Sequence, residues 1–179
     1  ANSGWEVEEV KCPPMKAAAE INAKLWMTET RYAAKGIIEK EDEPDSRFIF
    51  EQMSKRSPEI NKNELLDAIQ ERALLLREWQ LFLAKYPILI TPVSGELPFA
   101  QQLDVKSEGD FENVMQAQLT QLAIPALGLP ALAVFTGFAK NIPVGVQLIG
   151  ARFREDILIA AGQDIENSGV APVCVNPNW

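Results

Sequence analysis

The 179-residue chain is 47% hydrophobic and 23% charged, carries a net charge of −8 and contains no histidine. This composition suits a soluble globular domain with a real core, and the acidic balance argues against a nucleic-acid or anionic-membrane surface. The missing histidine removes Ser-His-Asp and Cys-His catalysis. It also removes most transition-metal sites, because only Cys12 and Cys174 remain as soft ligands.

No apolar run approaches the roughly 20 residues of a membrane span. The opening ANSGWEVEEV has neither the basic nor the apolar region of a signal peptide. Without a secretion signal, Cys12 and Cys174 read as two separate buried thiols rather than a disulfide, and the expected compartment is cytoplasmic.

Asn2-Ser3-Gly4 reads as a helix end with Gly4 at a left-handed cap, and the triplet recurs at Asn167-Ser168-Gly169. The chain is therefore expected to open on the last turn of a helix it does not contain. WEVEEV (5–10) alternates as a half-buried strand should. Pro13-Pro14 opens a helix whose inward face is Ala18, Ile21, Leu25, Thr28 and Tyr32. EKEDEPDS (39–46) is a charged, exposed break, and RFIFEQMSK (47–55) predicts a short helix.

Asn61 with Glu64 forms a capping-box signature that starts a long helix to about Lys85. Its stripe is Leu65, Ile69, Leu76 and Leu83, and its solvated face is Glu71, Arg72, Arg77 and Glu78. YPILITPV (86–93) predicts a buried strand. A long loop, SGELPFAQQLDVKSE (94–108), follows, and long loops are often functional. Asp110 is expected to cap a helix carrying Phe111, Met115, Leu119 and Leu122. PALAVF (130–135) and PVGVQLIG (143–150) predict two strands joined by a hairpin-length connection. A last helix starts near Arg154, with Ile157, Leu158, Ala161 and Ile165 inward and Glu155 and Asp156 in its first turn. The expected fold is α/β, a single domain over 1–179 with a mixed sheet of about four strands flanked by helices.

The residues supply little chemistry. There is no GxxxxGK[ST] phosphate loop, no GxGxxG and no GxSxG elbow. Ser94 follows a strand and reads as a turn serine. Glu96 and Asp104 share the long loop; they are a carboxylate pair or two solvated acids. Lys140 and Asn141 suit a turn. No cofactor and no metal site is expected.

GLPALAVFTGF (128–138) resembles the amidase signature family's GLPA-x-(S/A)-V-P-x-G, and PVGVQLIG with RFREDILIAA resembles its closing strand and helix. REWQLFLAKYPILITPV and NSGWEVEEVKCP resemble upstream parts of that family, so the likeness covers nearly the whole chain. It implies an amide hydrolase, or the ammonia-moving A-type component of a glutamyl-tRNA amidotransferase, working by serine acyl transfer. A Ser–Ser–Lys triad and a Gly/Ser-rich oxyanion loop would explain chemistry without histidine. None of those motif residues is present, so no triad position carries over.

The resemblance thus implies a C-terminal portion that is inactive alone and needs the missing N-terminal catalytic region. It would complete the sheet and wall a pocket for a small-molecule amide. Loop 94–106 and helix 111–122 are the candidate walls, with Ser94, Phe99 and Gln118 as pocket residues. Phe135 and Pro125 depart from the family's usual proline and asparagine. Gln118 stands where the amidotransferase proteins carry a substrate-associated aspartate, which favours a general amidase. The alternative from another class is a stand-alone, non-catalytic binding or assembly module on an amidase half-fold. With sheet edges left open, a homo-oligomer is expected, and no nucleic-acid or membrane partner.

Overall fold

The computed structural model describes residues 4–169. Its helices are α1 (Met15–Ala33), α2 (Lys35–Glu41), α3 (Pro44–Arg56), α4 (Lys62–Lys85), α5 (Glu108–Ala117), α6 (Leu119–Leu127) and α7 (Glu155–Ser168). Its strands are β1 (Ile88–Pro92), β2 (Ala131–Ala139) and β3 (Ile142–Gly150). The strands form one antiparallel sheet in the order β1-β3-β2. The α/β class and the flanking helices are as expected, but among the described residues the sheet has three strands and no parallel pair. The difference is WEVEEV, which runs beside the sheet without joining it. Its alternation does create one contact at the sheet's side, where Trp5 Nε1 donates to Asp164 at 2.8 Å.

Cross-strand partners share a sheet face, so the register sorts the core. Ile88, Leu132, Val134, Val146 and Leu148 face α7 and pack on its Leu158, Ala161 and Ile165. Leu89 and Ile149 face the other way, into a core with Ala18, Ile21, Trp79, Leu83 and Leu127 from α1, α4 and α6. Trp79 is fully buried, and an aromatic side chain taken wholly from water contributes about 2–3 kcal/mol. A third cluster, Met27, Met53 and Phe111, joins the far end of α1 to α3 and α5. The ion pair Arg56–Glu112 lies across the same α3–α5 seam.

Helix ends follow local chemistry. The Asn61 side chain accepts from the Asn63 and Glu64 N–H groups, and Glu64 accepts from the Asn61 N–H at 2.7 Å. Glu43 caps α3. Its carboxyl is held below the usual range, first by the Ser46 N–H and then by that of Asp45. Because the folded pKa is lowered, this cap stabilises at neutral pH and is lost as acid takes the pH down through that lowered value. Ser107, not Asp110, caps α5, accepting from the Asp110 N–H at 3.1 Å. The break at 39–46 is shorter than expected, since α2 runs to Glu41 and Pro44 already opens α3.

One helix face is rotated from the expected one. In α4 the buried set is Ala68, Leu75, Trp79 and Leu83, while Ile69 is 48% exposed. At about 100° per residue this turns the inward stripe by roughly a sixth of a turn. Arg72 then falls beside the stripe rather than on the solvated face, and its Nε donates to the Ala126 carbonyl. In α1, Ala18 and Ile21 are buried and Leu25 packs on the same core as expected, while Met27 is buried on the opposite side with Met53 and Phe111, and Tyr32 is 94% exposed. Cys12 is half-buried against the α1 core, and burial pushes its thiol up, opposed by a backbone hydrogen bond. Cys174 and Asn2-Ser3 lie outside the described residues. Gly4 does have a left-handed φ of 86°. Gly169 does not; it is extended, at φ −102°.

The β2–β3 hairpin turns on Lys140 and Asn141, both left-handed at φ 51° and 64°, the pairing of positive angles that matches strand twist. Gly145 on β3 has no room for a side chain, since a Cβ there would sit 2.4 Å from the Val134 carbonyl oxygen. Gly145→Ala is expected to cost about 2 kcal/mol by overpacking against backbone, a fall in Tm of roughly 4–8 °C. Asn61→Ala removes the capping box and is expected to cost about 1 kcal/mol, or roughly 2–4 °C. Thermal denaturation followed by circular dichroism checks both, and an unchanged Tm for Gly145→Ala would contradict the close approach.

Candidate functional site

Helix cover on the α1/α4/α6 face of the sheet ends part-way along the strands. Ile149 and Leu89 are covered. One step further along β3, Gln147 is buried under the start of α6, and its Nε2 donates to the Thr120 carbonyl at 3.2 Å. Thr120 Oγ1 reaches the Pro92 and Val93 carbonyls at 3.1 and 3.0 Å, and Gln121 Nε2 donates to Val93 at 2.9 Å. These bonds fix the exit of β1 to the first turn of α6. Beyond them, Ala133, Gly145 and Phe135 continue the same face of the sheet and line an open cleft among the described residues.

That uncovered end is the floor of a cleft of about 720 Å³, within the usual range for small-molecule sites, roughly 300–1,000 Å³. Ser94, Phe99 and Gln118 all line it, with Glu96 and Phe135. The sequence-predicted pocket residues therefore share one wall, although loop and helix are separated along the chain. A larger cleft of about 870 Å³ lies between segment 5–10, β1 and α7; it contains none of those candidates.

Gln118 reaches the cleft through a break that the sequence pattern conceals. The expected helix over 111–122 is two helices, because the Ala117 carbonyl accepts from the Gly95 N–H at 2.8 Å instead of continuing the helical ladder. Gln118 sits at the joint with φ −87° and ψ 11°, and its own carbonyl accepts from the Gln121 and Leu122 N–H groups to restart the helix. Phe111 and Val114 stay buried on α5, while Ala123, Ile124 and Leu127 are buried on α6.

Ser94 Oγ accepts from the Glu96 N–H at 3.2 Å, a turn role. Glu96 and Asp104 are not brought together as a pair. Asp104 lies in a short 3-10 turn, Leu103–Val105, that packs against α3 and α5 away from the cleft. Among the described residues, no group of three or more cysteines or acids gathers as metal ligands. No described helix is long and apolar enough to cross a membrane.

Phe135 was legible only as a departure from a pattern, and the structure gives it a place. A β-bulge at Thr136 separates the pairs Phe135–Gly145 and Gly137–Val144. The extra residue returns Phe138 to the face of Phe135, and the two rings meet edge-to-face with centroids 5.2 Å apart. Gly128, at φ 59°, ends α6, and Arg152 donates to the Gly128 and Leu127 carbonyls at 3.3 Å. Pro125 lies exposed in the last turn of α6, where it removes one intrahelical hydrogen bond close to the helix end.

Comparison with known proteins agrees with this architecture. An indoleacetamide hydrolase from Bradyrhizobium diazoefficiens is 27% identical over 166 residues, covering 92% of this chain and 32% of that protein. The A-type component of the glutamyl-tRNA(Gln) amidotransferase of Moorella thermoacetica is 37% identical over 103 residues, covering 58% of this chain and 20% of that protein. The chain thus spans about a third or less of the length of these relatives. In fold it is similar to a crystal structure of an amidase, with a TM-score of 0.70 at 21% identity, over 92% of this chain and 38% of the other. A 6-aminohexanoate cyclic dimer hydrolase complexed with substrate gives 0.68 at 18% identity, over the same shares of the two chains. The Amidase family model matches residues 1–159, and the chain belongs to that family.

Proposed function

We propose that the chain is the C-terminal portion of an amide hydrolase that cleaves a C–N bond by serine acyl transfer. It completes the sheet and supplies one wall of the substrate pocket. The nucleophile lies on other sequence, so residues 1–179 alone are inactive. The observation that carries this reading is the gathering of Ser94, Phe99 and Gln118 around the uncovered end of the sheet. A pocket wall needs apolar surface and a few fixed polar groups rather than a catalytic set, and the lining has that character.

A general amide hydrolase is favoured over an amidotransferase component. The indoleacetamide hydrolases match over 92% of the chain, whereas the amidotransferase proteins match over 49–58%. In this role Gln118 donates or accepts a hydrogen bond at the substrate's acyl side.

Ammonia release from indole-3-acetamide and propionamide tests the reading. The complete polypeptide is expected to hydrolyse at least one of them, and residues 1–179 alone neither. Measurable turnover by residues 1–179 would show that the nucleophile is within them and overturn the division of labour. In the complete polypeptide, Gln118→Ala is expected to raise KM roughly threefold to tenfold, the worth of one hydrogen bond. An unchanged KM and unchanged preference among amides would remove Gln118 from the pocket.

A further inference from the structure

At its centre the floor of the cleft carries little side chain, with Pro143 beyond Gly145 on the same face. Ala133 and Gly145 lie on adjacent strands of the same sheet face, with Gly145 paired to Phe135. Gly145 cannot carry even a methyl group without meeting the Val134 backbone. Among the described residues, the helix cover that buries Ile149 and Gln147 ends before this floor, and Ala133 is exposed. Phe135 stands at its end as a wall, half-buried, with its ring held by Phe138. Among the described residues Glu96 is the one charged group of the lining, and no lysine or arginine lines it.

From this arrangement we infer that Phe135 is a specificity-determining residue, and that the wall takes a neutral, planar aromatic group of an amide substrate. The inference rests on the amide-hydrolase reading above and names the substrate class of that site. A flat floor of alanine and glycine admits a ring face-on, where any larger side chain would fill the space. The Phe135 ring then meets the substrate ring in an edge-to-face or offset contact, as aromatic pairs prefer. Phe138, itself 60% exposed, meets the Phe135 ring edge-on and supports it from one side. The charge pattern disfavours the other main substrate type. An amino acid that carries its amide on the side chain brings a free carboxylate, which this wall meets with Glu96 and no cation.

The β-bulge is part of the same device. Without the extra residue Phe138 would point to the α7 side, and Phe135 would stand unbraced. The backbone irregularity at Thr136 therefore sets the aromatic wall that a regular strand would lack.

The test is the ratio of kcat/KM for phenylacetamide to that for propionamide, measured in the complete polypeptide. Phe135→Ala is expected to lower the ratio roughly threefold to tenfold, the range of one aromatic pair. Phe135→Tyr, which keeps the ring, is expected to hold it. Ala133→Leu, which fills the floor, is expected to lower it as well, and circular dichroism of each variant reports folding. A ratio unchanged by Phe135→Ala in a folded variant overturns the inference and leaves the amide-hydrolase reading intact. If the unaltered polypeptide hydrolyses none of indole-3-acetamide, phenylacetamide and propionamide, that reading falls, and binding decides the inference alone. Nitrogen-15 NMR titration with phenylacetamide is then expected to shift the Ala133 and Gly145 amide signals, and less so in Phe135→Ala. Equal shifts in both proteins, or none in either, overturn it.

Discussion

One hydrogen bond decides where the cleft can be. The Gly95 N–H takes the Ala117 carbonyl, and a helix that the apolar pattern would carry from 111 to 122 is cut in two. That single diversion of a backbone acceptor reaches well beyond its own loop. Helix α6 restarts at Leu119, where Thr120 and Gln121 hold the exit of β1 and the first turn covers Gln147. Past that turn no described helix lies over the sheet. The loop that carries Ser94 and Phe99 and the joint that carries Gln118 are therefore assembled at one place by the same contact.

The sheet itself provides the second constraint. Only β3 has a partner on both sides among the described strands, so its residues define the two faces for all three. One face is closed by α7, through Leu158 and Ala161 against Val134 and Leu148. At Gly162 the helix approaches β2 closely enough that a methyl group would meet Leu132 at 2.7 Å. The other face is closed only in part.

Much of this was legible in the sequence where a local rule acts alone. The capping box at Asn61, the proline-opened α1, the hairpin residues Lys140 and Asn141 and the acidic first turn of α7 each depend on neighbours within a few positions. The family resemblance in GLPALAVFTGF and PVGVQLIG rests on the same local shaping, with Gly128 ending a helix and Gly145 permitting close strand approach. What was not legible depends on partners far along the chain. The inward face of α4 could not be chosen from its many leucines, because α1 and α6 select it. WEVEEV alternates like a strand, but alternation does not supply a neighbour to pair with. The joint at Gln118 depends on Gly95, and the pairing of Phe135 with Phe138 depends on a bulge that no residue type announces.

The topology also has a kinetic side. Strands β2 and β3 meet through a two-residue turn, while β1 reaches β3 across a long stretch of chain, from Pro92 to Val146 at the nearest pair. Closing the short loop costs far less chain entropy than closing the long one. The hairpin can therefore form as a local unit and wait for β1, and with β1 comes the loop that carries Ser94 and Phe99. The floor of the cleft belongs to the short-range hairpin, and one of its walls is tied to the longest-range pairing in the sheet.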